Sequence, residues 1–222
     1  MKAIILAGGR GKRLRPITDY VPKPLIPIKN IPIIEWQIKY LKKFGISEVI
    51  ICSGYKTKMI ENYLNNKKLG VKITFSIEDK PLGTGGAIKK AGKKIKDKSF
   101  LVINGDIITN IDLKKVIKKE NSIASIQLRT KFGILQTDND KIIKFEEKKE
   151  ITELWMNAGI YHLDKETLKE LPTVGDIEKT LFPDYAKKEK LSTIKFTKSK
   201  WYSIDSFKDI EECSLVIKKI IK

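Results

Sequence analysis

The sequence contains few side chains that could hold a transition metal: among 222 residues there are two cysteines and one histidine. Cys52 and Cys213 are separated by most of the chain, and His162 is close to neither of them in sequence. A structural zinc site needs about four nitrogen or sulfur ligands, usually clustered, so such a site is disfavoured, as is a Ser-His-Asp mechanism. We expect both cysteines to be buried small apolar residues, Cys52 in a strand and Cys213 in the last helix.

Long apolar runs are also missing from the sequence. No stretch approaches the roughly 18 uninterrupted apolar residues that a membrane span needs. The apolar run at the N-terminus ends at Gly8, and no signal-peptide cleavage pattern follows it. Because 41% of the residues are hydrophobic, the chain can still build a core, which argues against general disorder. We therefore expect a cytoplasmic protein of one large domain, without a membrane partner.

Acidic residues are scarce relative to basic ones, with 27 Asp and Glu against 45 Lys and Arg and a net charge of +18. Such an excess raises the question of a nucleic-acid partner. The lysines are nevertheless scattered singly or in pairs such as Lys42-Lys43, without a tract of five or more and without interleaved aromatic residues. This pattern favours a solvated basic surface and no nucleic-acid partner, with an anionic partner as the alternative.

Short apolar runs alternate with amphipathic stretches in the first part of the chain. Strands are predicted at residues 2–6, 48–53, 71–77 and 100–104, and helices at residues 32–44, 56–64 and 85–95. In the first helix, Ile34, Ile38 and Leu41 recur at helical spacing. Repeating β-α units of this kind predict a parallel sheet that is covered by helices on both faces.

The pattern changes after residue 122, where strands follow one another with short turns. The predicted elements are strands at residues 123–129, 134–137, 142–146 and 155–163, a helix after Asp176, strands near 193–196 and 201–204, and a last helix at 208–221. The chain is therefore predicted to form a single α/β domain with a mixed, mostly parallel central sheet flanked by helices.

A glycine-rich loop follows the first strand, with the sequence LAGGRGKRLRP at residues 6–16. Glycines directly beyond the carboxyl end of a strand allow backbone N–H groups to approach a phosphate. The loop is not a Walker motif, since Arg13 replaces the required Ser or Thr, and it is not the dinucleotide fingerprint, since Leu14 takes the third glycine position. From the glycines alone, an ordinary turn with basic neighbours is an equal alternative.

The loop and the segment after it, PKPL at residues 22–25, resemble the signature of sugar-phosphate nucleotidyltransferases, the pyrophosphorylases that make nucleotide sugars. Further matching motifs are Glu78 with residues 82–87, Gly105-Asp106, Glu147-Lys148 and Asn157-Ala158-Gly159, so that the resemblance covers nearly the whole chain. The strings LGTGGAI at 82–88 and NAGIY at 157–161 are similar to the mannose-1-phosphate and heptose-1-phosphate guanylyltransferases.

The resemblance implies the Rossmann-like fold of the nucleotide-diphospho-sugar transferases. It implies one catalytic domain over residues 1–222, with a nucleotide-binding half at about 1–110 and a sugar-phosphate-binding half at about 111–222. The left-handed β-helix that some relatives append at the C-terminus is not expected. Whether the protein is a homo-oligomer, and which sugar it uses, stay open.

In the implied reaction, an oxygen of a sugar 1-phosphate attacks the α-phosphorus of a nucleoside triphosphate and pyrophosphate leaves. Two polyanions with about six negative charges must be brought into line, so cations and oriented N–H donors are expected to provide most of the catalysis. The phosphoryl-transfer template implies Mg²⁺ or another divalent cation, arginine or lysine clamps, and no covalent nucleophile.

The resemblance implies Arg13, Lys23 and Asp106 as catalytic residues. Lys23 stands between two prolines, which fix its backbone and lower the entropic cost of placing its ammonium. Asp106 follows a strand and Gly105, where α/β sheets bind ligands, and its carboxylate is a hard oxygen ligand suited to magnesium. The alternatives are solvated surface cations and a turn-forming aspartate.

Asp205 is the candidate for a second metal ligand. The family's usual form is Trp-x-Asp followed by Ile-Gly-Thr-Pro, whereas this sequence reads WYSIDSF at residues 201–207 and lacks the Gly-Thr-Pro. The alternative role for Asp205 is the N-cap of the last helix.

Glu78 takes a position where the family's uridylyl- and thymidylyltransferases have Gln. An ionised carboxylate only accepts hydrogen bonds, whereas guanine presents two adjacent donors, so GTP is the favoured triphosphate. Adenine and cytosine also have an amine from which Glu78 could accept a hydrogen bond, so they stay open as bases. The structural alternative is that Glu78 is a solvent-exposed residue of its loop and binds no base.

The expected binding residues fall into two sets. For the nucleotide they are Leu6, Ala7, Gly8, Gly9, Gly11, Arg13, Glu78, Gly83 and Thr84. For the sugar phosphate they are Gly105, Glu147, Lys148, Asn157 and Gly159. Alternative functions are a cytidylyl-, uridylyl- or thymidylyltransferase for another phosphate, and a non-catalytic pyrophosphorylase-like subunit. The intact Arg13, Lys23 and Asp106 argue against the non-catalytic alternative.

Overall fold

The computed structural model describes residues 1–130, 132–147 and 150–220. The strands are β1 (Lys2–Leu6), β2 (Pro27–Ile28), β3 (Ile31–Pro32), β4 (Glu48–Ser53), β5 (Lys72–Ile77), β6 (Ser99–Asn104), β7 (Ile107–Thr109), β8 (Ser122–Arg129), β9 (Ile134–Asp138), β10 (Lys141–Glu146), β11 (Glu150–Asp164), β12 (Ser192–Phe196) and β13 (Trp201–Ser203). The helices are α1 (Ile17–Tyr20), α2 (Ile33–Lys43), α3 (Thr57–Asn65), α4 (Gly83–Gly92), α5 (Leu113–Val116), α6 (Thr167–Glu170), α7 (Leu181–Lys187) and α8 (Phe207–Ile220). Short 3-10 helices span Lys12–Leu14, Lys23–Leu25 and Ile177–Lys179.

The central sheet has the strand order β12-β8-β11-β6-β1-β4-β5. Every neighbouring pair in it is parallel except the two that β11 makes with β6 and β8. The mixed, mostly parallel sheet that the sequence predicts is therefore confirmed. Because all strands but β11 run in the same direction, their carboxyl ends lie at one edge of the sheet, where open α/β sheets bind ligands.

Strand β1 shows why the sheet is covered on both faces. Its sequence is almost continuously apolar, as is typical of a parallel strand that is buried on two sides. Ile5 belongs to the cluster that contains Ile34 and Ile38 of α2, and Ile4 belongs to the opposite cluster with Ile88 of α4. Each of these isoleucines is fully buried, which stabilises the fold by roughly 2 kcal/mol per side chain.

The structure differs from the sequence prediction at several element boundaries. Helix α4 begins at Gly83 rather than at residue 85, because the first-turn N–H groups of Gly85 and Gly86 donate to the carbonyl of Gly175. The helix predicted after Asp176 consists of the 3-10 helix and α7. The strand predicted near residues 201–204 is β13, but it lies outside the central sheet and pairs with β7. The sequence does not predict β7 or this pairing, because a strand of three residues is too short to show alternation.

Cys52 in β4 and Cys213 in α8 are buried free thiols, as the sequence predicts. Across residues 1–130, 132–147 and 150–220, no helix has both the length and the apolar character that a bilayer-crossing segment requires. The hairpin of β9 and β10 is largely exposed and stands apart from the central sheet as a separate two-stranded sheet.

Candidate active site

A cleft of about 270 Å³ opens at the carboxyl edge of the sheet. Its walls are Leu6, Ala7, Gly9, Gly11, Lys12, Arg13, Leu14, Lys23, Pro24, Gly105, Asp106 and Asp205. The fold thus brings the glycine-rich loop together with three charged residues from distant parts of the chain. Arg13, Lys23 and the two aspartates share this one cleft.

Lys23 lies at the centre of the charges in the cleft. Its Nζ donates to Asp106 Oδ2 at 2.7 Å and to Asp205 Oδ1 at 2.8 Å. The side chain of Lys23 is 13% exposed and is more buried than the side chains of Asp106 and Asp205. Its backbone begins the 3-10 helix Lys23–Leu25, with Pro22 before it in an extended conformation. The prolines on both sides limit the backbone freedom that would otherwise spread the position of the ammonium.

Asp205 receives hydrogen bonds on both carboxylate oxygens. Arg13 Nη2 and Lys23 Nζ each lie 2.8 Å from Oδ1, and the Ser203 hydroxyl donates to Oδ2 at 2.8 Å. Burial alone would raise the pKa of Asp205, but the bonds from Lys23 and Ser203 and the charge of Arg13 hold that pKa below its ordinary value. Asp205 is therefore ionised at neutral pH.

The N-terminus of α8 is capped by Ser206 and Asp209, not by the side chain of Asp205. The backbone N–H of Asp209 donates to Ser206 Oγ at 3.3 Å, and the Ser206 hydroxyl donates to Asp209 Oδ2 at 2.8 Å. The same Asp209 oxygen accepts from the backbone N–H of Asp205 at 3.0 Å. This arrangement resembles a capping box, and it leaves the carboxylate of Asp205 free to face the cleft.

The glycine-rich loop is held against Lys23 and carries Arg13. Gly11 has a φ of 62°, a left-handed conformation that glycine adopts without strain, and a Cβ at this position would come within 3.0 Å of Lys23 Cβ. The Thr18 hydroxyl donates to the carbonyl of Gly11 at 3.0 Å. The guanidinium of Arg13 projects from this loop and is 74% exposed, in spite of its bond to Asp205. It can therefore turn toward an incoming phosphate.

Gly105 allows the segment that carries Asp106 to pack on strand β1. A Cβ at Gly105 would lie 2.3 Å from the carbonyl oxygen of Leu6, a distance that atoms cannot reach. The Gly105 N–H donates to this same oxygen at 2.9 Å. The close approach explains the glycine at this position and brings Asp106 beside the first loop.

Glu78 lies next to the glycine-rich loop. A Cβ at Gly8 would be 2.9 Å from Glu78 Oε1, while Oε2 accepts from the backbone N–H of Leu82 at 3.0 Å. Burial raises the pKa of Glu78, with the Leu82 N–H and the charge of Lys90 acting in the opposite direction. One oxygen of this carboxylate is thus anchored, and the other faces the loop.

A hydrogen-bond network connects Asn157 to the first turn of helix α4. Asn157 Nδ2 donates to the hydroxyl of Tyr161 at 2.9 Å, and this hydroxyl donates to Glu178 Oε1 at 3.2 Å. The other oxygen of Glu178 accepts from the hydroxyl of Thr84. The carboxamide oxygen of Asn157 accepts from Gly159 N–H at 2.8 Å. Thr84, a predicted nucleotide-binding residue, and Asn157, a predicted sugar-phosphate residue, are therefore connected through the carboxylate of Glu178.

Glu147, another predicted sugar-phosphate residue, directly follows strand β10 of the exposed hairpin. Glu147 is exposed, and its Oε2 lies 3.2 Å from where a Cβ of Gly133 would be. Lys148 lies outside the described residues.

Ser203, Ser206 and Glu178 were not identified from the sequence. Ser206 and Asp209 have the Ser-x-x-Asp spacing of an N-terminal cap, and this pattern could have assigned the cap correctly. Ser203 and Glu178 carry no such pattern, because their partners are distant in sequence.

The arrangement of Asp106 and Asp205 fits a magnesium ion. Each directs one oxygen at the same ammonium, so both carboxylates already face one cation. Magnesium is commonly held by one or two carboxylates, with water and substrate phosphates as the other ligands. Among the described residues, no group of three or more His, Cys, Asp or Glu side chains converges as a protein-only metal site would require. A site completed by water and phosphate is the arrangement that these two residues fit.

Comparisons with known proteins give relatives along nearly the whole chain. The family model described as nucleotidyl transferase matches residues 2–219. The chain is 42% identical over 173 residues to the D-glycero-alpha-D-manno-heptose 1-phosphate guanylyltransferase of Aneurinibacillus thermoaerophilus, covering 74% of this chain and 75% of that protein. It is 41% identical over 201 residues to the protein of the same name from Campylobacter jejuni, covering 88% of this chain and 84% of that protein.

Among solved structures, the chain resembles HddC from Yersinia pseudotuberculosis complexed with GMP-PN. The TM-score is 0.74 at 29% sequence identity, covering 96% of this chain and 98% of that chain. The likeness therefore extends over nearly the whole fold described above.

Proposed function

The chain belongs to the nucleotidyl transferase family, and we propose that it joins GTP to a sugar 1-phosphate of the mannose or heptose type, giving a nucleotide-diphospho-sugar and pyrophosphate. The observation that carries this proposal is the contact of Lys23 with both Asp106 and Asp205, beside the glycine-rich loop. A reaction between two phosphate esters needs fixed cations and carboxylates that can hold a metal ion, and the two cations and two carboxylates of this cleft support such a reaction.

In the proposed reaction, an oxygen of the sugar phosphate forms a bond to the α-phosphorus of the triphosphate. The bond from the α-phosphorus to the bridging oxygen breaks, and pyrophosphate leaves with the electron pair. Since the substrate oxygen is itself the nucleophile, no covalent intermediate on the protein is needed. The task of the protein is to hold the two anions in line and to neutralise their charge.

Arg13 and Lys23 provide the fixed positive charges in this mechanism. Both are bound to Asp205 in the structure, so they are held at the cleft before a substrate arrives. The exposure of Arg13 allows it to turn to the triphosphate, and the bonds of Lys23 to both aspartates support a role at the reacting phosphates. The backbone N–H groups of the loop, among them those of Gly8, Gly9 and Gly11, approach the phosphates from the other side.

Asp106 and Asp205 are the residues that would hold Mg²⁺. When bound, the ion neutralises phosphate charge and orients the triphosphate for attack. Lys23 lies between the two carboxylates in the structure, so an ion held by Asp106 and Asp205 would share the neutralisation of the phosphate charge with the ammonium of Lys23.

Glu78 supports GTP as the triphosphate. Its Oε2 is fixed by the Leu82 N–H, and its Oε1 lies beside the loop that receives the nucleotide. An ionised carboxylate matches the two adjacent donors of guanine, N1–H and the exocyclic amine. The two guanylyltransferase relatives and the HddC structure complexed with GMP-PN support the same choice.

The sugar phosphate is proposed to bind in the second half of the chain, at about residues 111–222, while residues at about 1–110 bind the nucleotide. Asn157 supports this division, because it is an exposed residue of β11 that lies just beyond the carboxyl end of the neighbouring strand β6. Gly105, Glu147, Lys148 and Gly159 complete the proposed set. Both curated relatives act, by their names, on a heptose 1-phosphate, which supports a sugar of this size.

The decisive experiment measures pyrophosphate release with each of four nucleoside triphosphates and a panel of sugar 1-phosphates. We expect release with GTP and mannose or heptose 1-phosphate, and loss of release in a chelator of divalent cations. A preference for CTP or UTP would support the alternative function of a cytidylyl- or uridylyltransferase, which the altered segment at residues 201–207 leaves open. Binding of nucleotide without release under any combination would support a non-catalytic subunit instead.

A further inference from the structure

Gln37 is a buried polar residue in an otherwise apolar stripe of α2. It is 1% exposed, and its neighbours on the helix, Ile34, Ile38 and Leu41, form part of the main core. Placing an amide there costs free energy unless its polar atoms find partners. The structure shows where these partners are, and they are not on α2 itself.

The amide nitrogen of Gln37 bridges the two ends of the segment that carries Asp106. Nε2 donates to the carbonyl of Asn104 at 2.8 Å and to the carbonyl of Ile107 at 3.0 Å. These two carbonyls lie on either side of Gly105 and Asp106. Gln37 Oε1 is buried without a hydrogen-bond partner among the described residues. The side chain therefore binds the segment through the two N–H groups of its amide.

Two further bonds of this segment are made by its backbone groups. Gly105 N–H donates to Leu6 at 2.9 Å, and the Asp106 carbonyl accepts from Ile204 N–H at 3.0 Å. These bonds hold the middle of the segment, while Gln37 holds the carbonyls at both ends. Residues 104 and 107 also belong to strands β6 and β7, so loss of the Gln37 bonds would leave the segment paired but less firmly held. The carboxylate of Asp106 could then shift relative to Lys23 and Asp205.

We propose that Gln37 is a positioning residue that sets the direction of the Asp106 carboxylate toward its cation. It touches neither substrate nor metal and acts through the backbone of residues 104–107. The inference rests on the proposed function, because it assigns a role to Gln37 through the proposed metal ligand Asp106. Loss of such an outer partner commonly weakens metal binding about tenfold or more.

The test compares Gln37→Met with Tyr40→Phe as a matched control. Tyr40 is on the same helix, is 3% exposed, and donates to the carbonyl of Ile111 at 2.6 Å, away from the cleft. Each variant loses buried hydrogen bonds from α2, so both should melt at a lower temperature than the wild type. Mn²⁺ binding is measured directly by electron paramagnetic resonance in the presence of a non-hydrolysable GTP analogue. The Kd for Mn²⁺ should rise about tenfold in Gln37→Met and stay unchanged in Tyr40→Phe.

Steady-state kinetics give a second readout. Gln37→Met should need more Mg²⁺ for half-maximal pyrophosphate release and should regain part of its kcat at high Mg²⁺, with the KM for GTP little changed. Gln37→Glu keeps the shape of the side chain and at most one donor, and its Kd for Mn²⁺ should also rise. It provides the test if the methionine variant does not fold.

The possible results separate this inference from the proposed function. If Asp106→Asn loses Mn²⁺ binding and the Gln37 variants bind it as tightly as the wild type, Gln37 is only structural and the inference is wrong. Equal losses in Gln37→Met and Tyr40→Phe would lead to the same conclusion. If Asp106→Asn itself binds Mn²⁺ normally, the proposed metal site is wrong, and the role of Gln37 is overturned with it.

Discussion

The ammonium of Lys23 lies 2.8 Å from a carboxylate oxygen of Asp205, although the two residues are 182 positions apart in the chain. Asp106 approaches the same ammonium from the other side at 2.7 Å. The fold thus places one positive charge between two negative ones at the floor of the cleft. A divalent ion bound by the same two carboxylates would compete with the ammonium for this place.

Replacing Lys23 with methionine should therefore have opposite effects on metal binding and on turnover. Removal of the competing ammonium should lower the Kd for Mn²⁺, measured by electron paramagnetic resonance without nucleotide. Pyrophosphate release should fall at least about a hundredfold, because a fixed cation for the phosphates is lost. Lys39→Met is a suitable control, since Lys39 pairs with Glu35 on α2. Unchanged or weaker Mn²⁺ binding in Lys23→Met would contradict the competition.

Asp106→Asn should abolish turnover and leave the fold intact. The amide keeps the size of the side chain but loses the charge that binds a metal ion and pairs with Lys23. We expect pyrophosphate release to fall by roughly a hundredfold or more, with little change in the circular dichroism spectrum. Asp112→Asn is the control, because Asp112 caps α5 and asparagine caps equally well. Wild-type rates in Asp106→Asn would refute the proposed role.

Glu78→Gln should shift the triphosphate preference away from GTP. The amide replaces one acceptor by a donor, which no longer matches guanine N1–H and its amine. The ratio of kcat/KM for GTP and UTP, measured in both proteins, tests this expectation. An unchanged ratio would mean that another group reads the base.

The raised pKa of Glu78 adds a pH dependence to this prediction. Burial makes the folded protein hold a proton on Glu78 more tightly than the unfolded chain does, with Leu82 and Lys90 opposing the shift. Guanine needs the ionised form, so the affinity for GTP should fall as the pH decreases through this raised pKa. In Glu78→Gln that part of the pH dependence should disappear. Without nucleotide, ionisation of Glu78 should cost stability as the pH rises through the same range.

Tyr161→Phe should weaken sugar-phosphate binding. The change keeps the ring that packs against Phe182 and removes the hydroxyl between Asn157 and Glu178. The amide of Asn157 then keeps its bond to Gly159 N–H but loses the partner of its nitrogen, so the KM for the sugar 1-phosphate should rise several-fold with little change in the KM for GTP. Tyr185→Phe is a matched control, since the Tyr185 hydroxyl donates to Glu170 in a similar Tyr–Glu pair. The same KM increase in both variants would rule out a specific role of Tyr161.

Ser206→Ala should destabilise the last helix. The substitution removes the hydroxyl that accepts from Asp209 N–H and donates to the Asp209 carboxylate. Loss of an N-cap of this kind costs about 1 kcal/mol of unfolding free energy, which urea denaturation measures. Ser206→Thr keeps the hydroxyl and should restore most of the stability. If the alanine variant is as stable as the wild type, the cap assignment is wrong.

The central sheet was largely predictable because its strands are short apolar runs between helices of clear periodicity. The predicted bounds of β1 and β4 agree with the structure to the residue. Strand β7 and its pairing with β13 were not predicted, since these strands have three residues each and pair across a long stretch of chain. Gln37 was also missed, because a single polar residue in an apolar stripe shows no purpose until its partners on the Asn104–Ile107 segment are known.

The sequence by itself determined the local features of this protein: the apolar strands, the glycines of the first loop, and the restricted backbone of Lys23 between two prolines. These depend on side chain and backbone preferences of neighbouring residues, which act over a few positions. Only the tertiary structure decided that Asp205 faces Lys23, and that Gln37 reaches the backbone around Asp106. The direction of such a side chain depends on partners that the fold brings together from distant positions in the sequence, and no pattern among neighbouring residues identifies those partners.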